Sequence, residues 1–282
     1  MPELPEVETV RKGLEKLTKN FHITEIKVFK ERSIASVGGS KRFINKIENC
    51  YISDWERRGK YLIGSLKTIS KDRKGFLVVH LRMTGQFKLI NKKTPPCSHT
   101  RVSFFENGGK ELRFVDIRNF GQMWYVPSTK LVKEEISGIK RLGPEPFSDE
   151  FNSYYLEKYL QGKKRSIKSA LLDQETVAGV GNIYADETLF DAGINPKTES
   201  KSLTKNQLNR LCNSLIKILK ISIGEGGTTF SDFRDLEGIN GNYGGQAWVY
   251  RRGGKSCKKC GEIILREKIC GRGTHWCPQC QK

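Results

Sequence analysis

Met1-Pro-Glu-Leu-Pro-Glu-Val-Glu-Thr-Val10 opens the chain. An initiator methionine before a small residue is expected to be clipped, leaving Pro2 with a free secondary amine. An α-amino group has a pKa of about 7.7–8.0, against about 10.4 for lysine, so roughly a tenth of such termini carry a lone pair at neutral pH. Pro2 is therefore a ready nucleophile for an electrophilic carbon and can form an iminium. Glu3 adjoins it, and Glu6 lies one helical turn on. The same stretch starts a helix. Proline suits a first turn and acids there complement the helix dipole. Val7, Val10, Leu14 and Leu17 then form an apolar stripe at helical spacing.

Beyond this helix, residues 22 to about 126 carry a β pattern. Ile23, Ile26 and Val28 are strand-like, as are residues 60–67 and 75–81. Residues 102–105 and 112–115 flank Asn107-Gly-Gly109, a hairpin signal. Many short strands with turn signals predict a sandwich or barrel. Gly143-Pro-Glu-Pro-Phe-Ser-Asp149 interrupts the pattern as an inter-domain hinge would. Helical spacing follows at 154–160, 167–172, 183–190 and 204–223, the last ended by Gly224-Glu-Gly-Gly227.

Composition narrows the function. The chain has 50 Lys plus Arg against 31 Asp plus Glu, a formal charge of +19, which favours polyanionic partners. Four Trp, nine Tyr and fourteen Phe among 282 residues predict a packed core rather than disorder. No apolar run suits a membrane span and no signal segment opens the chain, so a cytoplasmic or nucleoid location is expected.

Five of the eight cysteines crowd the last 26 residues. Cys257-x2-Cys260-x16-Cys277-x2-Cys280 places two thiolates on each of two tight turns, the pattern of a structural Zn²⁺ site with no open position. His275 is a competing ligand, but the paired spacing favours four sulfurs. Cys270 lies between the pairs as a spectator. The loop Cys270-Gly-Arg-Gly-Thr-His-Trp276 forms a metal-braced hairpin tip able to present Arg272 to a phosphate, or simply an exposed arginine on a turn.

Gly179-Val-Gly-Asn-Ile-Tyr-Ala-Asp-Glu187 brings two glycines and Asn182 before a helical run, where backbone amides can approach a phosphate. Helix–helix punctuation accounts for the same residues. Gly162-Lys-Lys-Arg-Ser-Ile-Lys168 adds four basic residues that suit phosphates or form a solvated face. Arg57-Arg-Gly-Lys60 is a basic cluster at a strand entry.

The opening decapeptide, Arg58-Gly-Lys60-Tyr, Val180-Gly-Asn-Ile-Tyr-Ala-Asp-Glu187 and the terminal cysteine pairs resemble, in that order, the formamidopyrimidine-DNA glycosylases. The resemblance spans nearly the whole chain. It implies an α+β fold of two domains: an N-terminal helix-flanked β-sandwich over residues 1–143, a hinge at 144–149, a helical domain with a helix–two-turns–helix over 150–250, and a zinc hairpin over 251–282. DNA is expected in a basic cleft between the domains, and a monomer is expected.

The resemblance also implies roles. Pro2 attacks the sugar C1′ and forms a Schiff base. Glu3 acts as the acid in base release and sugar opening, and Glu6 orders the site. Lys60 serves β-elimination and grips phosphate, and Arg272 approaches phosphate during δ-elimination. Asn182 binds phosphate with Lys163 beside it. His99 and Arg118 contact DNA. Met83, Arg118 and Phe120 fill the gap left by the extruded base, offsetting part of the cost of unstacking. Oxidised purines are the implied substrates, excised with strand cleavage by β,δ-elimination. A pyrimidine-selective endonuclease VIII-like enzyme and a non-catalytic zinc-ribbon nucleic-acid binder are the competing readings. Asn119 stands where a second basic residue often follows Arg118, Asn195 replaces a frequent histidine, and Gly238–Gly245 departs from the better-known members.

Overall fold

The computed structural model describes residues 1–91, 94–228 and 241–282. By contacts the chain divides into two units: Met1–Lys140 with Gly226–Asn242, and Arg141–Glu225 with Tyr243–Lys282.

The first unit starts with α1 (Leu4–Leu17), entered through Glu3 and Pro5, with Val7, Val10 and Leu14 buried as the stripe requires. β1 (Phe21–Ile23) and β2 (Glu25–Val28) follow, then α2 (Gly39–Ile47). The β reading of residues 22–126 did not foresee α2. Phe43, Ile44 and Ile47 stand at helical spacing and face the core, a short three-residue signal that the sequence reading passed over. The strands continue as β3 (Cys50–Arg58), β4 (Tyr61–Lys67), β5 (Arg73–His80), β6 (Gly85–Asn91), β7 (Thr100–Phe105), β8 (Lys110–Asp116) and β9 (Gln122–Pro127).

Two antiparallel sheets result, ordered β1-β3-β4-β5-β9 and β2-β7-β8-β6. One apolar core joins them. It takes Ile52, Leu62, Leu77 and Val79 from the first sheet, Phe87, Val102, Phe104, Leu112 and Phe114 from the second, and Val7, Leu14, Phe43 and Ile47 from α1 and α2. This is the helix-flanked sandwich. Two short helices, α3 (Val132–Glu135) and α4 (Ser137–Lys140), follow β9.

The second unit holds α5 (Ser153–Leu160), α6 (Ile167–Leu172), α7 (Asn182–Ala192), α8 (Lys205–Gly224) and α9 (Tyr243–Gln246). Asn152, Ser166 and Thr204 cap α5, α6 and α8 with their side chains, and Gly193 ends α7 in the left-handed conformation at φ +68°. The expected hinge packs within this unit: Gly143 N–H donates to Gln174 O, and Ala178 N–H donates to Pro144 O. A two-stranded ribbon, β10 (Leu265–Ile269) and β11 (Arg272–Trp276), ends the chain. Its two-residue turn, Cys270-Gly271, has positive φ at both positions (48° and 75°), which twists with the strands and puts Arg272 first on the outgoing strand.

Candidate functional site

Met1 is 52 % exposed, whereas Pro2 through Val7 are buried. Glu3 and Glu6 are each 2 % exposed. Glu3 N–H donates to Glu6 Oε2 at 2.8 Å, and Thr228 N–H donates to Glu6 Oε1 at 2.8 Å. One buried carboxylate therefore clamps the start of the chain to a residue 222 positions later. Such a carboxylate needs donors in place of water, and two amides provide them. Gly227 makes the approach possible: its φ is +81°, and a Cβ there would stand 3.0 Å from Glu6 Oε1. Sequence reading misses Gly227 and Thr228, since Gly226-Gly227 reads locally as a helix stop. Residues 238–240 of the atypical Gly238–Gly245 stretch lie outside the described residues.

Lys60 is the second residue of the two-residue turn joining β3 to β4, whose first residue, Gly59, has φ +57°. It is 8 % exposed. The neighbouring Tyr61 ring meets His80 edge-on at 4.5 Å. Burial, then the charges of Arg82 and Lys60, push the His80 imidazole down to about 3. It is thus neutral at physiological pH, and its Nδ1 accepts the Arg82 N–H at 2.9 Å. Arg57 of the basic cluster is engaged by Glu8, at 2.9 Å.

The four remaining candidates of this unit gather around Asp116, which sequence reading did not single out. Asp116 Oδ1 accepts from Thr84 Oγ1, and Oδ2 accepts Gly121 N–H at 2.7 Å. Arg118 N–H donates to Thr84 Oγ1 at 3.0 Å, and Asp116 N–H donates to His99 O at 2.9 Å. The buried aspartate thereby ties together the loops of Met83, His99, Arg118 and Phe120. Met83 and Phe120 are each 37 % exposed, too open for the strand-core alternative. The guanidinium groups of Arg118 and Arg32 lie 5.1 and 5.4 Å from the Phe120 ring centre. Asn119 holds a left-handed conformation at φ +55°, which asparagine tolerates better than a long basic residue.

In the second unit α7 is buried nearly all round, with Asp186 and Glu187 at 1 % and 0 % exposure. Glu187 accepts N–H groups of Trp248, Val249 and Tyr250 at 2.8–2.9 Å, anchoring the segment that enters the cysteine module. Asn182 stands first on α7, and its Nδ2 donates to Gly273 O at 2.9 Å, next to Arg272. Arg272 itself is exposed.

The basic run 162–168 is corrected in two members. Lys168 is wholly buried and pairs with Asp186 at 2.6 Å, so it is not a solvent-facing phosphate ligand. Arg165 pairs with Asp173 at 2.7 Å. Burial opposes ionisation of Asp173, but the Glu175 amide and Arg165 outweigh it and hold its carboxyl below the ordinary range. Lys163 lies over the Tyr159 ring, and Lys164 is exposed.

The Sγ atoms of Cys257, Cys260, Cys277 and Cys280 lie within 4.8 Å of one another. Cys257–Cys280 is 3.9 Å and Cys260–Cys277 is 3.4 Å. A tetrahedral Zn²⁺ with bonds of about 2.3 Å needs sulfur–sulfur edges of about 3.8 Å. Burial resists ionisation of Cys257, but the Lys259 and Cys260 amides outweigh it and bring the thiol down to about 7. The four sulfurs fit one structural Zn²⁺. His275 is not a fifth candidate: it faces Asp186 and packs on Tyr250. Cys270 is free and exposed.

Comparison with known proteins accords with this geometry. Residues 1–123 match the formamidopyrimidine-DNA glycosylase N-terminal domain, 142–234 the formamidopyrimidine-DNA glycosylase H2TH domain, and 254–282 a zinc finger found in FPG and IleRS. The chain is 77 % identical over 282 residues to a formamidopyrimidine-DNA glycosylase of Prochlorococcus marinus (strain NATL2A), covering all of both chains. It is 57 % identical over 281 residues to that of Parasynechococcus marenigrum (strain WH8102), again covering all of both chains. Among solved structures, Lactococcus lactis Fpg bound to abasic-site DNA superposes with a TM-score of 0.91 at 33 % identity, covering 99 % of each chain. A complex of a mutant of the same enzyme with Fapy-dG DNA gives 0.90 at 33 %, covering all of both chains.

Proposed function

The chain belongs to the formamidopyrimidine-DNA glycosylase family, and from that premise we propose how its own residues excise a damaged base. It is a base-excision repair enzyme, a bifunctional DNA glycosylase and abasic-site lyase, acting on damaged duplex DNA. The observation that carries the residue assignment is the buried Pro2-Glu3 terminus, held by the Glu6 carboxylate.

With Met1 removed, the Pro2 nitrogen lone pair attacks C1′ and the glycosidic bond breaks toward the base. Glu3 donates the proton that opens the sugar, which leaves an iminium on Pro2. Loss of a C2′ proton then expels the 3′-phosphate, and a second elimination expels the 5′-phosphate. Hydrolysis of the iminium frees Pro2. A positioned acid such as Glu3 contributes on the order of 10²–10⁴ in rate. Lys60 assists the first elimination, its neighbour His80 being uncharged at physiological pH. Arg272 approaches phosphate in the second.

Asn182 and Lys163 hold backbone phosphate, and His99 and Arg118 add contacts from the first unit. Met83 and Phe120, kept exposed by the loops on Asp116, fill the space of the extruded nucleotide. Zn²⁺ stays structural, since four thiolates close its coordination. We take oxidised purines as the main substrates. The L. lactis enzyme also forms a complex with DNA containing an oxidized pyrimidine, so a pyrimidine lesion is a useful second probe. The enzyme acts as a monomer on DNA in the cytoplasm or nucleoid. Borohydride reduction during turnover on an 8-oxoguanine duplex tests the assignment. A covalent adduct mapping to Pro2 supports it, and an adduct at Lys60 refutes it.

A further inference from the structure

Arg272 stands at the exposed end of a two-stranded ribbon whose zinc site lies beyond its far end. Cys277, five residues on, is separated from it by about 16 Å of extended chain at about 3.3 Å per residue. The metal can fix the base of the ribbon, but a separate contact must set the lateral position of its tip.

Helices α6 and α7 supply that contact. Residues 273–275, directly after Arg272, are held from α6 and α7. Lys168 Nζ donates to Thr274 Oγ1 at 2.7 Å and to Gly273 O at 3.2 Å. Asn182 Nδ2 donates to the same Gly273 O at 2.9 Å. Asp186 Oδ2 accepts His275 N–H at 2.9 Å and lies 3.3 Å from His275 Nδ1. Its other oxygen faces the Lys168 ammonium at 2.6 Å. Lys168 and Asp186 side chains are both at 0 % exposure. Far from water, such a pair is not retained as a cheap source of stability, because desolvation offsets most of its attraction. Here its atoms converge on three consecutive residues of β11 while the same helix starts with Asn182.

We propose that Asp186 is a positioning residue that registers the Arg272 tip on the N-terminal end of α7, so that Arg272 and Asn182 grip phosphate as one rigid unit. This rests on the reading of Arg272 and Asn182 as phosphate ligands given above. Asp186 touches no substrate. It neutralises Lys168 and takes the His275 amide, and Lys168 in turn takes Gly273 and Thr274. The Asn182 amide keeps its second hydrogen for a phosphate oxygen while the first stays on Gly273.

The test uses the full zinc-loaded protein and a duplex carrying a tetrahydrofuran abasic analogue, with affinity measured over a range of salt concentrations. Asp186→Asn should weaken binding about tenfold and reduce the dependence of log K on log salt by about one phosphate contact, as Arg272→Ala does. The double variant should bind no more weakly than Arg272→Ala alone. Zinc content should stay at one per chain. Because Asp186→Asn strands the Lys168 charge, Asp186→Asn/Lys168→Met serves as the folding control; it should recover thermal stability while affinity stays low. Recovery of affinity along with stability would overturn the proposal, as would losses that multiply in the Asp186→Asn/Arg272→Ala pair. If Arg272→Ala weakens binding and Asp186→Asn does not, the positioning role falls and the phosphate role of Arg272 stands. If neither weakens binding, both fall.

Discussion

His80 makes the catalytic unit sensitive to acid in a calculable way. In the unfolded chain its imidazole titrates near 6.5, whereas burial beside Arg82 and Lys60 holds it at about 3 in the folded protein. Between these values the unfolded state binds more protons, so stability rises with pH there and falls on acidification from 6.5 toward 3. At pH 5 the unfolded state gains about 1.5 pH units of protonation free energy that the folded state does not. At 1.36 kcal/mol per unit, this costs the fold about 2 kcal/mol relative to pH above 7. His80→Asn keeps an acceptor for the Arg82 N–H and does not titrate. Urea unfolding of both proteins at pH 7.5 and pH 5.0 isolates the effect. Trp248→Phe and Trp276→Phe in both backgrounds leave Trp55 and Trp124 to report the sandwich. The wild type should lose about 2 kcal/mol relative to His80→Asn on acidification. An unchanged difference between the two proteins would refute the argument that His80 is buried neutral.

Other outcomes follow from the same geometry. Gly227→Ala forces a side chain into a left-handed backbone, at about 1–2 kcal/mol, and presses on Glu6; single-turnover excision should slow at least tenfold while abasic-site binding is kept, as quench-flow and anisotropy would show. Asp116→Ala frees the loops of Met83 and Phe120, so a 2-aminopurine reporter of base extrusion should show a lower extruded fraction, with Schiff-base formation on pre-formed abasic DNA changed far less. Chelating zinc should abolish DNA binding through the hairpin, while near-ultraviolet circular dichroism shows the sandwich still folded; collapse of both units would contradict this.

The sequence revealed whatever repeats locally or at fixed spacing. The α1 stripe, the β7–β8 turn at Asn107-Gly-Gly109, the long amphipathic α8 and the four zinc thiols were all legible for that reason. α2 was passed over although Phe43, Ile44 and Ile47 carry helical spacing, because its nine residues supply a single apolar turn amid strands. The clamp between Glu6 and Thr228 spans 222 positions, and no local pattern encodes such a pairing. Asp116 carries no local sequence signal, and only the loop amide and hydroxyl aimed at it give it a role. Lys168 and Asp186 were misread or overlooked for a related reason. A lysine in a basic run looks solvated, and an acid in mid-helix looks like a surface residue. The available signal was that Asp186 and Glu187 sit between the apolar runs Ile183-Tyr184-Ala185 and Leu189-Phe190 of one helix.

Whether residue two supplies the electron pair is decided most directly by the chain terminus itself. Intact-mass and peptide analysis of the active, borohydride-trapped enzyme should find Met1 absent and the reduced sugar on the Pro2 nitrogen. Full strand cleavage by protein that retains Met1, or a reduced sugar on any lysine in place of Pro2, would contradict the account.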